Sequence, residues 1–197
     1  MKKIITLVIV AITMFSCNVA EQAAGYYQLT QCKYDYSSIS GLTLNGINLQ
    51  NATSLSSLTP TNLLSLTSAF SSSNGSLPLN FTLNLNVNNP GTTTALLSGM
   101  AYVLEIDGRE MTTGFLDQAL QVAGGSSAVL PIGMSFDLKK VLNGESLESI
   151  KNLAFNFAGI GSNTSDVTVK LKPNFNIGGK VISSPTYIPV SFQLNKK

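Results

Sequence analysis

From Leu77 to Val87 the odd positions are apolar (Leu77, Leu79, Phe81, Leu83, Leu85, Val87), while Asn80, Thr82, Asn84, Asn86 and Asn88 are polar. A period of two is the mark of a strand with one buried face; on a helix these apolar residues would scatter around the axis. Asn89-Pro90-Gly91 then stops the strand and turns the chain. A second strand places Met100, Tyr102, Leu104 and Ile106 on one face and ends at the turn signal Asp107-Gly108. From Ala128 to Leu138 the even positions are apolar again, with Pro131 and Gly133 on the other face. Proline cannot donate to a ladder, so Pro131 predicts an edge strand or a bulge. Val167, Val169 and Leu171 alternate up to Pro173-Asn174, and Phe175 and Ile177 continue the pattern. Val181, Ile188, Val190, Phe192 and Leu194 suggest a last strand pair around Pro185. The pattern predicts an all-β antiparallel β-sandwich.

The rest of the chain is less regular. Tyr26 to Tyr36 reads as a first strand, followed by an opening strand broken by Gly41 and Gly46. Residues 51–76 read as an insertion. Its Leu55, Leu58, Leu63, Leu64, Leu66 and Phe70 suit one face of short helical turns, capped by Thr59 or Thr61 with Pro60 early. Its Ser/Thr content argues against a long helix. We read it as cover for one edge or end of the sandwich; the alternative is a binding loop. Leu138, Val141 and Leu142, then Leu147, Ile150 and Leu153 after Ser146, predict one or two short peripheral helices. Ala154 to Phe157 then reads as a return to strand, with Phe155 and Phe157 inward.

Composition changes this picture in one respect. Only 11% of the 197 residues are charged, against roughly 25% in an average domain, and Asn, Ser, Thr and Gly carry the polar surface. That suits an extracytoplasmic protein. The net charge of +2 comes from Lys2 and Lys3, and beyond them basic pairs occur only at Lys139-Lys140 and Lys196-Lys197, so nothing resembles a nucleic-acid footprint. Lys2-Lys3 and the apolar run Ile4–Phe15 form a leader too short for a comfortable membrane span. Ser16-Cys17 follows, as in a bacterial lipoprotein signal. Residues 1–17 are thus read as signal peptide and lipobox, 18–25 as a tether, and 26–197 as one domain. Met14 and Phe15 depart from the usual box, and the alternative is a plain signal peptide cleaved elsewhere, such as before Glu21. With Cys17 acylated, membrane lipid is the expected partner, the address is the cell envelope (an outer-membrane lipoprotein, on its periplasmic side or at the cell surface), and Cys32 is a single thiol. Without acylation, a bridge between Cys17 and Cys32 would staple only a tail.

The chain offers little chemistry. It has no histidine, which removes the commonest general base and the His-containing zinc sites. It has no phosphate-binding Gly-x-x-x-x-Gly-Lys-Ser/Thr loop and no dinucleotide fingerprint. No enzyme activity, metal or cofactor is expected. Glu105, Asp107 and Glu110 form the densest acidic group, readable as a calcium or paired-carboxylate site, but Asp107-Gly108 is better explained as a hairpin turn. Tyr26, Tyr27, Tyr34 and Tyr36 are a candidate binding surface for a glycan or protein; they equally suit packing of the first strand.

The strand ending in Asn89-Pro90, the strand with Tyr102 that ends in Asp107-Gly108, the following Gly114, and Leu130-Pro131-Ile132 together resemble the type-2 late-embryogenesis-abundant family, the WHy-domain proteins. The resemblance covers roughly residues 40–137, and the 51–76 insertion interrupts it. It implies an immunoglobulin- or fibronectin-III-like sandwich, a structural role for the motif residues, and a non-enzymatic protein, some members being associated with desiccation and water stress. Two functional readings follow: a lipid-anchored envelope protein of that kind, or a binding or assembly module for a protein or glycan at the cell surface.

Overall fold

The computed structural model describes residues 19–72, 75–161 and 163–194. The leader and the Cys17 acylation site lie outside the described residues.

The strands pair in three antiparallel sheets. The first has the order β2-β1-β3-β8, formed by β1 (Lys33–Leu44), β2 (Ile47–Asn48), β3 (Pro78–Asn88) and β8 (Ser127–Asp137). The second has the order β10-β9-β5-β6, from β5 (Gly99–Ile106), β6 (Arg109–Leu116), β9 (Ser165–Ile177) and β10 (Lys180–Ser183); β11 (Ile188–Leu194) also pairs with β9. A small ribbon joins β4 (Ala95–Leu97) to β7 (Leu120–Val122). The alternation along β3 is realised without a break: Leu79, Phe81, Leu83, Leu85 and Val87 are buried, and the intervening residues are half-exposed. They share one core with Met100, Leu104 and Ile106 of β5 and Val167, Val169 and Leu171 of β9. Burying such side chains contributes roughly 1.5–3 kcal/mol each. Three hairpins are closed by two-residue turns with both central residues at positive φ, Asn45-Gly46 (49° and 77°), Asp107-Gly108 (51° and 77°) and Gly178-Gly179 (57° and 81°), the turn chemistry that matches strand twist.

The expectation of an all-β, immunoglobulin/fibronectin-III-like sandwich with one or two short peripheral helices is not what the chain forms. The fold is mixed α and β, with three sheets and four helices among the described residues. Helix α1 covers residues 19–31, so the stretch Tyr26–Tyr36 is helix and then strand. Tyr26 and Leu29 of α1, and Cys32 just beyond its end, are three residues apart and buried, and the Tyr26 ring lies 4.9 Å from Phe175 of β9. The insertion contains a 3-10 turn (Leu55–Ser57) and the twelve-residue helix α2 (Pro60–Ser71). The Thr59 hydroxyl caps α2 by accepting from Asn62 N at 3.2 Å, with Pro60 in the first turn. The Lys139 ammonium donates to the carbonyls of Ala69 and Ser72 at its other end, where helix carbonyls lack partners.

After the short α3 (Leu138–Val141), helix α4 (Leu147–Phe157) continues through the segment read as strand. Ile150, Leu153, Ala154 and Phe157 are buried on one helical face. The Phe157 ring reaches Phe81 and Phe136 at 4.7 and 6.3 Å. Each helix therefore contributes buried side chains to the core, Leu66 and Phe70 from α2, Leu138 from α3 and the apolar face of α4 among them. Pro131 lies on β8, which among the described residues pairs only with β3 and is an edge strand; its missing N–H falls on the unpaired side.

Candidate functional site

A cleft of about 470 Å³ opens where β1, α4 and β11 meet. Its β1 wall is irregular, because the register with β3 slips between Tyr36 and Ser38 and again between Ser40 and Thr43. Such bulges re-aim side chains. The Gln50 amide repairs the second slip: Oε1 accepts from Leu42 N and Nε2 donates to Ile39 O, both at 3.2 Å. Gln50 is thereby fixed on the wall of the cleft. On another side Gln193 donates to Asp166 Oδ1 at 2.8 Å. The Tyr36 ring stacks on Phe192 at 4.1 Å and 13° and keeps about 39% of its surface open. Burial pushes the Tyr36 phenol up, and its hydrogen bond with the Ile39 backbone offsets part of that rise.

The end of α4 closes the cleft with residues 156–159. Asn156 is buried; Nδ2 donates to Ser165 Oγ at 2.9 Å, and Oδ1 accepts no hydrogen bond among the described residues. The lining contains no Asp, Glu, Lys, Arg or His. Amides, hydroxyls and the open face of Tyr36, set among apolar residues such as Ile39, Leu42 and Phe157, suit a neutral, hydrogen-bonding ligand; a general acid or base near neutral pH is not among them.

The four tyrosines do not share a surface. Tyr26 is buried, its hydroxyl 2.9 Å from Ser98 Oγ and donating to Asn176 O at 2.7 Å. Tyr34 donates to Leu29 O at 3.1 Å, and burial, followed by the nearby Cys32, pushes its phenol well up. Tyr27 is exposed on α1, and Tyr36 alone reaches the cleft.

The motif residues sit at joints. Asn89 is fully buried; its Nδ2 donates to Thr93 O and Val122 O, both at 2.8 Å, and its Oδ1 accepts from Gln28 Nε2 and Gly91 N at 2.9 and 3.0 Å. Pro90 follows it in an exposed loop. Tyr102 donates to Gly133 O at 3.0 Å, linking the two large sheets, and lies over Gly114 of the neighbouring strand. Asp107 Oδ1 accepts from Asp166 N at 2.8 Å, and Glu105 pairs with Lys170 at 2.5 Å. Those two carboxylates of the acidic group are thus engaged in structure. Among the described residues no group of three or more His, Cys, Asp or Glu side chains is placed to hold a metal ion. The Cys32 thiol is buried, which pushes its pKa up and makes it unreactive.

Sequence reasoning missed Gln50, Asn156 and Gln193. Gly41, inside the second slip of β1, is a local signal for the bulge that Gln50 mends; nothing local marks the other two.

No protein-family model matches the chain, and no curated protein is significantly similar to it. Several solved structures are loosely similar. One, described as a late embryogenesis abundant (LEA) protein, has a TM-score of 0.40 and 10% identity over 95% of this chain and 85% of its own. A solution structure from Arabidopsis thaliana has a TM-score of 0.39 and 15% identity over 62% of this chain and 71% of its own. A crystal structure from Archaeoglobus fulgidus has a TM-score of 0.37 and 17% identity over 61% and 86%. Likeness at this level concerns the general course of the chain alone.

Proposed function

We propose that this is a non-enzymatic protein of the cell envelope, held at a membrane surface by acylation of Cys17. The observation that carries the reading is the order Lys2-Lys3, Ile4–Phe15, Ser16-Cys17 in the sequence. It is the layout of a lipoprotein leader. An outer-membrane address and a role in desiccation or envelope stress belong to the same proposal, the latter from the family resemblance. Envelope fractionation of the wild type beside Cys17→Ala tests it, with mass spectrometry of the mature N-terminus. The expected result is a membrane-bound, acylated wild type and a soluble variant. Identical soluble behaviour of the two overturns the anchor.

The cleft favours a second reading, a module for a neutral glycan or a polar peptide segment. Tyr36 offers an aromatic face beside Gln50 and Gln193, with no lining charge. Titration calorimetry with neutral oligosaccharides tests it. Binding that Tyr36→Ala abolishes supports it; binding untouched by that substitution sets it aside.

A further inference from the structure

The start of α1 and the β9–β10 hairpin lie side by side. Gly178 at the hairpin tip donates its N–H to Gln22 Oε1 at 3.3 Å, and a methyl of Val19 stands 3.8 Å from where a Cβ on Gly178 would be. Val19 is two residues beyond Cys17. Two peptide units span at most about 7.6 Å between Cα atoms. An acyl chain on Cys17 is therefore tethered within that Cα reach of Val19, which packs against the hairpin tip.

The hairpin is built unlike the rest of the sheet. All four residues of β10 are exposed, and Val181 and Ile182 leave 68% and 49% of their surface uncovered. Val19, against the hairpin tip at Gly178, is 41% exposed. Val181 pairs with Asn176 and Ile182 with Phe175. Paired residues share a face, so the two aliphatic side chains lie on opposite faces of an uncovered edge strand. A sheet edge with free backbone groups and exposed β-branched side chains is normally blunted by charge or covered. Here Lys180 is the one charged residue of the strand. Side chains of this kind add apolar burial at the headgroup boundary, and an adjacent lysine extends toward anionic lipid.

We propose that Val19, Val181, Ile182 and Lys180 form a membrane-seating rim, which orients the domain on the bilayer beside the acylated Cys17. The proposal rests on the acylation reading. It gives the anchor a defined geometry: the long axis of β9 stands away from the membrane, and the Asp107-Gly108 hairpin, at the other end of that strand, points away from the lipid.

The test uses the full-length acylated protein, with Cys32→Ala, in vesicles of phosphatidylethanolamine and phosphatidylglycerol. An environment-sensitive fluorophore is attached through Val181→Cys in one sample and Glu110→Cys, in the strand following the far hairpin, in another. Nitroxide-labelled lipid is the quencher. The expected result is quenching severalfold stronger at 181 than at 110, and loss of that difference when Val19 and Ile182 are both replaced by Asp. Equal quenching at the two positions in protein that floats with the vesicles overturns the rim and leaves the anchor standing. Protein that carries no acyl chain and does not float overturns both.

Discussion

Gln28 Nε2 donates to Asn89 Oδ1 across 2.9 Å, so the helix that precedes the first strand is bonded to the residue that follows the third. Asn89 is fully buried, and all four hydrogen-bonding positions of its amide are used. Its own N–H reaches Ser126 O, and its carbonyl accepts from Gly125 N. One side chain thus joins α1, the β3 terminus and the loops that carry the β4–β7 ribbon. An alanine here strands two carbonyls and two donors away from protein partners. Asn89→Ala is expected to cost about 3 kcal/mol, and Gln28→Ala, at a half-exposed position, about 1 kcal/mol. Urea denaturation checks both, through a fall in midpoint at unchanged slope.

Tyr102 and Gly114 face each other across β5 and β6. A Cβ added to Gly114 would stand 2.3 Å from the Tyr102 hydroxyl, so the glycine is what lets the ring cross to Gly133. Gly114→Ala is expected to destabilise by about 2 kcal/mol through overpacking, and Tyr102→Phe by about 1 kcal/mol through its lost hydrogen bond. The two effects are not independent. With the ring already displaced, the hydroxyl has no bond left to lose. The double variant should therefore be about as stable as Gly114→Ala alone, and a double-mutant cycle measures the difference. Full additivity would show that the ring does not depend on the glycine.

The parts of the fold legible in the sequence are those in which one local period decides the answer. β3, β5, β8 and β9 alternate without interruption because one face of each meets the core, and Pro131 marks an edge because a missing donor has few other places. The helices were harder for a physical reason. Ile150, Leu153, Ala154 and Phe157 satisfy a helical period, while Phe155 and Phe157 alone satisfy a strand's. Contact of Phe157 with Phe81 and Phe136 resolves the conflict, and no window of sequence contains that contact. The buried Tyr26 and Leu29 of α1 are helically spaced, but they run into the aromatics of β1 with only Cys32 between the two elements. The cleft is less legible still. Tyr36, Gln50, Asn156 and Gln193 come from four separated stretches, and three of them are amides in a chain rich in amides.

Asp137 should make stability depend on pH in the acid range. Burial alone would raise its carboxyl; donors from Ser76, Leu77, Lys139 and Lys140 outweigh that and hold it below the ordinary value. Its Oδ1 caps α3, accepting from Lys139 N at 3.0 Å and Lys140 N at 3.4 Å. A group depressed in the folded state stabilises fully above its unfolded pKa, near 3.9. That contribution is lost as pH falls through the folded pKa. Asp137→Asn keeps a capping side chain but has no proton to bind. It should be less stable than wild type at pH 7, and the gap should close below about pH 4. Thermal unfolding of both proteins from neutral to acid pH checks this, and a gap that stays constant would remove the carboxylate from the account.

Gly161 holds the cleft's inner wall in place. A Cβ there would stand 1.8 Å from Asn156 Oδ1 and 2.9 Å from Asn156 N. The side chain of Asn156 can yield only by breaking its buried bond to Ser165, and α4 can yield only by moving Phe157 off Phe81. Gly161→Ala is thus expected to destabilise by about 2–3 kcal/mol, the range of a forced core rearrangement. Part of that loss comes from the side chain of Asn156 and part from its backbone. Adding Asn156→Ala removes the first clash and leaves the second, so the double variant should recover some stability over Gly161→Ala without reaching Asn156→Ala alone. Chemical denaturation of the three variants measures this. If the double variant is less stable than Gly161→Ala, the amide of Asn156 is not what the glycine accommodates.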